Sequence, residues 1–400
     1  MSDDAPWMRA VRAAGLLGSD GVARPTIFAE MSALAARYDA VNLGQGFPDE
    51  DAPAPVLDAA VAAIRGGVNQ YPPGRGEPDL RAAIAEHRRR FHGDDLDPAT
   101  EVLVTAGATE ALAAALLALV RPGDEVAVLE PAYDAYAALI GLAGARMARI
   151  PLEGPEQQPS EESIDAAIGP RTRVVLVNSP HNPTGSVIER ALLERIARRA
   201  AEHDAVIVAD EVYEHLVYDG ATHVSMSTLE AGRGRTLVIS SAAKTFRVTG
   251  WKIGWITGPV ALIDAMTAVK QFLTYVNGAP FQPAVAVGLR LGDDYFDELR
   301  ASLQRRRDLL SAGLAAAGFA VSPSRGSYFV VADPGPLGVD DGDAFARELV
   351  RETRVASIPL IAFAPGSADA RLRRSLRFAF CRTDAAVEEA VARLSRLGRA

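Results

Sequence analysis

One cysteine, Cys381, stands in a chain of 400 residues. That excludes an internal disulfide framework and a cysteine-rich zinc site, and it suits a reducing compartment. Long apolar runs are missing too. The longest, Ala111 to Val120, is bounded by Glu110 and Arg121, far short of the roughly 20 residues that cross a bilayer. The opening residues, MSDDAPWMRA, are acidic and hold no apolar segment, so a secretory signal is not expected. Positive charge is in deficit: 42 Lys and Arg face 51 Asp and Glu, a net charge of −9. This argues against a general nucleic-acid surface. The six histidines are scattered without H-E-x-x-H or other metal spacing, and no metal is expected. There is no G-x-x-x-x-G-K-[ST] phosphate loop, no G-x-S-x-G elbow and no G-x-G-x-x-G between a strand and a helix. The expectation that remains is a cytoplasmic enzyme with neither membrane nor nucleic-acid partners.

Apolar residues make up 48% and charged residues 23%, ordinary for a globular protein. At this length two packed lobes are expected. Short β-rich runs alternate with helical patterns, the mark of an α/β fold with a mostly parallel sheet. Strands are expected at Glu101–Gly107, Glu125–Glu130, Arg173–Asn178, Ala205–Asp210, Thr236–Ser240 and Ile253–Thr257. Each is nearly continuous in apolar residues, as strands covered on both faces are. Helical patterns follow at about 109–120 and through Tyr136 to Leu142. The stretch 283–317 reads as helical, 328–332 and 375–380 as strands, and 384–397 as a closing helix. Residues 154–162 read as a surface loop. A large domain is therefore expected at 46–280, flanked by helices, and a smaller α+β domain at 1–45 with 281–400.

The most informative stretch is SSAAKTFRVTGWKIGW, 240–255. A lone lysine at a strand end is ordinarily a surface residue. Here Lys244 follows a buried-type strand among small and hydroxyl residues, with Ser241 before it and Lys252 after it. A desolvated lysine near another cation becomes a nucleophilic amine. This set can hold an aldehyde cofactor as a Schiff base while a hydroxyl and an ammonium hold its phosphate. Asp210 ends another buried-type strand, where ligands of open α/β sheets gather. A carboxylate there can keep a pyridine nitrogen protonated, or cap a helix. Gly107, Ala108 and Thr109 lie between a strand and a helix start, where backbone amides bind anions. Arg377 sits in the otherwise apolar run Leu376–Phe380, and needs an anionic partner: an amino acid's α-carboxylate or an internal ion pair.

S-x-x-K-T-F-x-x-T-G-W-K resembles the signature of the pyridoxal-phosphate-dependent class I aminotransferases of fold type I. NLGQGFPDED (42–51), NQYPP (69–73), VTAGATEAL (104–112), EPAYDAY (130–136), NSPHNPTG (178–185), DEVYEHLVYDG (210–220), GSYF (326–329) and LRFAFC (376–381) fit in order. The likeness is greatest to the kynurenine, glutamine and methionine aminotransferase subgroup, and within it to actinobacterial N-succinyldiaminopimelate aminotransferases. It implies pyridoxal 5′-phosphate as cofactor and Lys244 as its Schiff-base lysine. Tyr133 would stack on the ring, Asn182 and Tyr213 would meet its phenolic oxygen, and Asp210 its nitrogen. Gly107, Ala108, Thr109, Ser241 and Lys252 would hold the phosphate. Asn178 is either a further cofactor contact or a brace of the backbone. Asn182, Arg377 and Gly46 would bind the substrate. Tyr71, on a proline-stiffened loop, would reach the phosphate of a partner subunit, which makes the expected assembly a homodimer with shared sites. The implied reaction moves an amino group from an amino acid to a 2-oxo acid, with 2-oxoglutarate the expected acceptor, in a ping-pong cycle. N-succinyl-LL-2,6-diaminopimelate is one implied donor. Kynurenine, methionine or glutamine transamination and cysteine-S-conjugate β-elimination are the alternatives.

Overall fold

The computed structural model describes residues 5–397; the outermost residues of the expected smaller domain, 1–4 and 398–400, lie outside the described residues. Helices α1 (Pro6–Ala13) and α2 (Ile27–Arg37) lead to a short β1 (Val41–Asn42), then α3 (Ala54–Arg65) and α4 (Pro78–His92). The main sheet follows: β2 (Val102–Thr105), β3 (Glu125–Glu130), β4 (Arg146–Glu153), β5 (Gln158–Pro159), β6 (Thr172–Asn178), β7 (Val206–Asp210), β8 (Thr236–Ser241) and β9 (Gly254–Thr257). Helix α5 (Gly107–Leu119) joins β2 to β3, and α6 (Asp134–Leu142) joins β3 to β4. The strand order is β2-β9-β8-β7-β6-β3-β4-β5. The inner strands from β8 to β4 run parallel, and only β9 and the edge strand β5 run against their neighbours.

The apolar runs are continuous because both faces are covered. Val126, Val128, Val174, Leu176 and Val208 pack with Leu112 of α5 and Ile140 of α6. Their chain neighbours Ala127, Leu129, Val175, Val177 and Ile207 pack on the opposite face against Leu193 and Ile196. A second sheet is antiparallel, in the order β10-β11-β14-β13, built from β10 (Ala320–Val321), β11 (Phe329–Asp333), β13 (Ile358–Pro359) and β14 (Leu376–Ala379). Beside it, β1 pairs in parallel with β12 (Val355–Ala356).

The N-terminal segment touches both sheets' layers. A Cβ on Gly141 of α6 would lie 2.6 Å from Ala13 Cβ and 2.7 Å from the Arg9 carbonyl, so α1 rests directly on α6. Met31 and Ala35 of α2 are buried instead among residues of the second sheet, Phe378 and Ile358 included.

Two stretches differ from expectation. Strand β4 was not foreseen, and the loop expected at 154–162 contains β5 and the start of a helix, Glu161–Ala167. In RMARIPLE, Arg146 and Arg149 are exposed and only Ile150 and Leu152 are buried, so the strand lacks the apolar continuity of its neighbours. The helical stretch at 283–317 is two helices, Phe281–Leu289 and Asp293–Ala316, interrupted before Gly292 caps the second.

Candidate active site

At the carboxyl ends of the parallel strands, Asn178 of β6 stands opposite Asp210 of β7, and Asp210 opposite Ile239 of β8. Beside them opens a cavity of about 350 Å³, whose lining includes Asp210, Tyr213, Ser241, Lys244 and Arg377. Its position outside the strand ends is where open α/β sheets hold ligands.

One end of the cavity is made of backbone. Helix α5 begins at Gly107, and Ala108 and Thr109 also line the cavity. Free amides at a helix start attract an anion. Gly107 has φ +72°, and a Cβ there would lie 3.3 Å from the Lys252 ammonium. Gly254 lets β9 meet this turn, since its Cβ would lie 2.6 Å from the Gly107 carbonyl carbon. Ser241 at the end of β8 and Lys252 complete this end of the cavity.

The middle holds opposed charges. Asp210 is buried, and its Oδ2 accepts the Tyr136 hydroxyl at 2.6 Å. Burial raises this carboxyl to about 6, although the Tyr136 hydroxyl and the Val212 amide favour its ionised form. Asn178 braces the turn: its Nδ2 donates to the Asp210 carbonyl, and its Oδ1 accepts the Asn182 amide, both at 2.8 Å. Lys244 Nζ makes one long contact, 3.4 Å, to the Gly46 carbonyl. It lies 5.9 Å from the Tyr213 ring centre and 5.7 Å from that of Tyr328. Desolvation pushes the amine down to about 8, within reach of the neutral, nucleophilic form near physiological pH.

At the other end, Arg377 of β14 is buried between rings, its guanidinium 4.0 Å from the Phe329 centroid and 4.6 Å from that of Phe363. Nη1 donates to Asn182 Oδ1 at 3.0 Å and Nη2 to the Gly44 carbonyl at 2.6 Å. Nε has no partner. Burial lowers this guanidinium to about 10, and Tyr213, Tyr328 and Asp134 nearby offset only part of that cost. Gly46 allows the close packing here: a Cβ on it would lie 2.7 Å from Phe329 Cζ. A lysine amine, a buried acid and an arginine fork thus converge on one cavity, the donor set for amino-acid chemistry through a carbonyl cofactor.

The sequence profile of the family described as "Aminotransferase class I and II" matches residues 38–394. A Mycobacterium tuberculosis protein described as a probable N-succinyldiaminopimelate aminotransferase is 52% identical over 378 residues, 92% of this chain and 95% of its own. The solved structure of N-succinyldiaminopimelate aminotransferase from that organism superposes with a TM-score of 0.91 at 52% identity, covering 93% of this chain and 97% of that one. The Escherichia coli methionine aminotransferase is 36% identical over 93% of this chain and 96% of its own. The chain is a class I/II aminotransferase.

In this aminotransferase every site residue expected from sequence lines the cavity except Tyr71. Tyr71 is 82% exposed, and its ring meets that of Tyr275 edge-on at 5.6 Å. Residues not singled out from sequence also reach the cavity: Phe28, Asp134 and Tyr136. Tyr136 follows Tyr133 by three residues at the start of α6, the spacing that puts two side chains on one helix face. That spacing was the available signal.

Behind the cavity the 210–218 segment turns another set of side chains inward. Glu214 Oε1 accepts the Ser240 hydroxyl at 2.7 Å and its Oε2 pairs with His92 at 2.6 Å. His87 and His215 bring their Nε2 atoms to 2.8 Å. Four histidines scattered in sequence, at 87, 92, 215 and 223, therefore gather in one place. His87, Glu214 and His215 bring ligand-type atoms within 4.8 Å of one another, each already engaged with a protein partner. Among the described residues no helix is long and apolar enough to cross a membrane.

Proposed function

We propose that the aminotransferase uses pyridoxal 5′-phosphate, and that its amino donor is N-succinyl-LL-2,6-diaminopimelate with 2-oxoglutarate as acceptor. The observation that carries the donor is the 52% identity, sustained over 92% of the chain, to a protein described by that activity. The residues fit the cofactor. Asp210 is a buried carboxyl with hydroxyl and amide neighbours but no adjoining cation in hydrogen-bond contact, as a protonated pyridine nitrogen would require. The backbone turn at Gly107–Thr109, with Ser241 and Lys252, suits a phosphate. Tyr133, which lines the same cavity, would stack on a flat ring, and Asn182 and Tyr213 would bond a phenolic oxygen.

When bound, pyridoxal phosphate supplies the electron sink that lets an amino acid's α-proton leave. Lys244 would hold the cofactor through its amine and, once free, would carry that proton, first as base and then as acid. Arg377 grips the α-carboxylate as a two-pronged donor, with Asn182 fixing the fork and the Gly46 backbone beside it. The first half-reaction releases a 2-oxo acid, and the second returns the amino group to 2-oxoglutarate. We take 46–280 as the cofactor-binding domain, 1–45 with 281–400 as the smaller domain, and the cytoplasm as the setting, in line with the lone buried cysteine.

The assembly proposed is a homodimer in which Tyr71 serves the partner's phosphate. Exposed apolar side chains beside Tyr71 support it: Tyr275, whose ring meets that of Tyr71, is exposed, as are Leu273 and Phe272 just before it in the chain, the last at 85%. Mixing Lys244→Ala with an inactive Tyr71 variant tests it. Random re-pairing of equal amounts restores roughly a quarter of all sites if Tyr71 acts across the two-fold axis, and none if it acts within its own subunit. For the substrate, initial rates with a panel of amino donors and 2-oxoglutarate decide. A rate with N-succinyl-LL-2,6-diaminopimelate no higher than with methionine or kynurenine overturns the donor assignment.

A further inference from the structure

A second cavity, of about 340 Å³, adjoins the active site, and the two have Phe28 and Asp134 in common. The Arg377 guanidinium lies 5.5 Å from the Phe28 ring centre. An amino acid whose α-carboxylate is held by Arg377 therefore has its side chain beside this doorway. Beyond it the walls are apolar, with Leu16, Ile27, Pro359 and Ile361 among them.

The outer end carries one guanidinium, Arg24. It sits on a small hairpin in which Leu17 and Ala23 form an antiparallel bridge, and the Arg24 amide donates to the Leu16 carbonyl at 2.8 Å. The base of the hairpin is pinned, since a Cβ on Gly15 would lie 2.8 Å from Pro365 Cβ. Two acids of this cavity, Glu30 and Asp343, are both taken up by Arg347, at 2.6 and 2.8 Å. Arg24 pairs at 2.7 Å with Asp20, and their side chains are 58% and 49% exposed. Such exposed pairs contribute little, so the guanidinium can turn to an incoming carboxylate.

We infer that the second cavity receives the far end of an elongated amino donor, an amino acid with an apolar spacer and a terminal carboxylate, and that Arg24 reads that carboxylate. The inference rests on the aminotransferase reading with Arg377 at the α-carboxylate. It explains why the cleft continues past the reacting groups, and it gives the N-terminal hairpin a task in donor choice.

The test uses the cofactor-loaded enzyme with 2-oxoglutarate and three donors: L-alanine, L-2-aminooctanoate and L-2-aminosuberate. Aminosuberate is expected to have the lowest KM. Arg24→Ala is expected to raise the aminosuberate KM about tenfold, the equivalent of about 1.4 kcal/mol, with alanine and aminooctanoate unchanged. Arg24→Lys restores part of the loss. Ile361→Trp fills the cavity and lowers kcat/KM for both long donors while sparing alanine. If Ile361→Trp does not fold, judged by circular dichroism, Leu16→Trp fills the cavity from the hairpin side. The inference falls if Arg24→Ala shifts all three donors alike or none, or if the filled cavity leaves the long donors untouched. No transamination by the unaltered enzyme with these three donors or with N-succinyl-LL-2,6-diaminopimelate would instead sink the reading of Arg377 and Lys244 on which the inference rests, a separate result.

Discussion

The two sides of the segment Asp210–Tyr218 are built on opposite principles. On the cavity side, polar groups are left incomplete. Lys244 has one long contact, Arg377 Nε has none, and Asp210 is a buried acid raised to about 6. On the far side nearly everything is matched, His223 Nδ1 being the exception. Arg88, wholly buried, donates to Asp94, Glu211, Ser225 and Ser227. Glu211 also accepts the Ser225 hydroxyl and the Met226 amide, each at 2.9 Å. Burial pushes Glu211 upward, but His223 and Arg88 outweigh it and hold the acid at about 2. A buried polar group without a partner costs on the order of 1–3 kcal/mol. A protein that completes one face and leaves the other short is rigid where it supports and reactive where it binds.

The largest effect expected is on the cavity side. Lys244→Ala should abolish steady-state turnover, while added pyridoxal phosphate still raises the melting temperature of the variant through the groups that hold its phosphate and ring. A turning-over Lys244→Ala enzyme would end the assignment of the proton carrier.

On the far side, Arg88→Ala leaves Glu211 and Glu214 as buried charges short of their cation. A loss of about 3–5 kcal/mol in unfolding free energy is expected, measured by denaturant titration. A loss under about 1 kcal/mol would mean the far side is not the rigid support described.

Arg377→Ala should raise KM more than a hundredfold for amino and oxo acids alike, about 3 kcal/mol for a charge-assisted pair in a closed site. A defect confined to one donor would place Arg377 at the side chain instead of the shared carboxylate.

A smaller effect follows from the buried imidazoles. Burial lowers His87 to about 4 and His215 to about 3. Below an ordinary imidazole value of about 6.5 the unfolded chain takes up protons that the folded chain refuses. Stability should therefore be fully present above about pH 6.5 and fall as pH drops toward 4, by up to about 1.4 kcal/mol per pH unit for each ring. His87→Gln should flatten that fall. Unfolding curves between pH 7 and 4.5 that coincide would show these rings do not resist protonation.

This contrast also separates what could be read in the chain from what could not. The strands that carry Asn178, Asp210 and Ser241 are covered on both faces, so their apolar runs are continuous and their ends stand out. Lys244 and Arg377 are visible because a cation beside or within such a run needs a reason. Strand β4 is half exposed and carries its arginines outward, so it mimics a loop. Tyr136 is hidden for the opposite reason: it reads as helix core until Asp210 is brought to its hydroxyl by the fold. The far side is the least legible. His87 and His215 lie 128 residues apart, and no local spacing announces that α4 will lie against the turn after β7.

The meeting of β9 with the start of α5 has a consequence for variation at this site. Gly254 admits no side chain without displacing the backbone of Gly107 and Ala108, and Gly107 adopts a left-handed backbone conformation that other residues enter at a cost. In a saturation scan these two positions should tolerate replacement as poorly as Lys244, though neither contributes a reactive atom. Variation at the proposed phosphate site is left to the side chains of Thr109, Ser241 and Lys252, so drift at this end of the cavity is confined to side chains laid over an unchanging main chain.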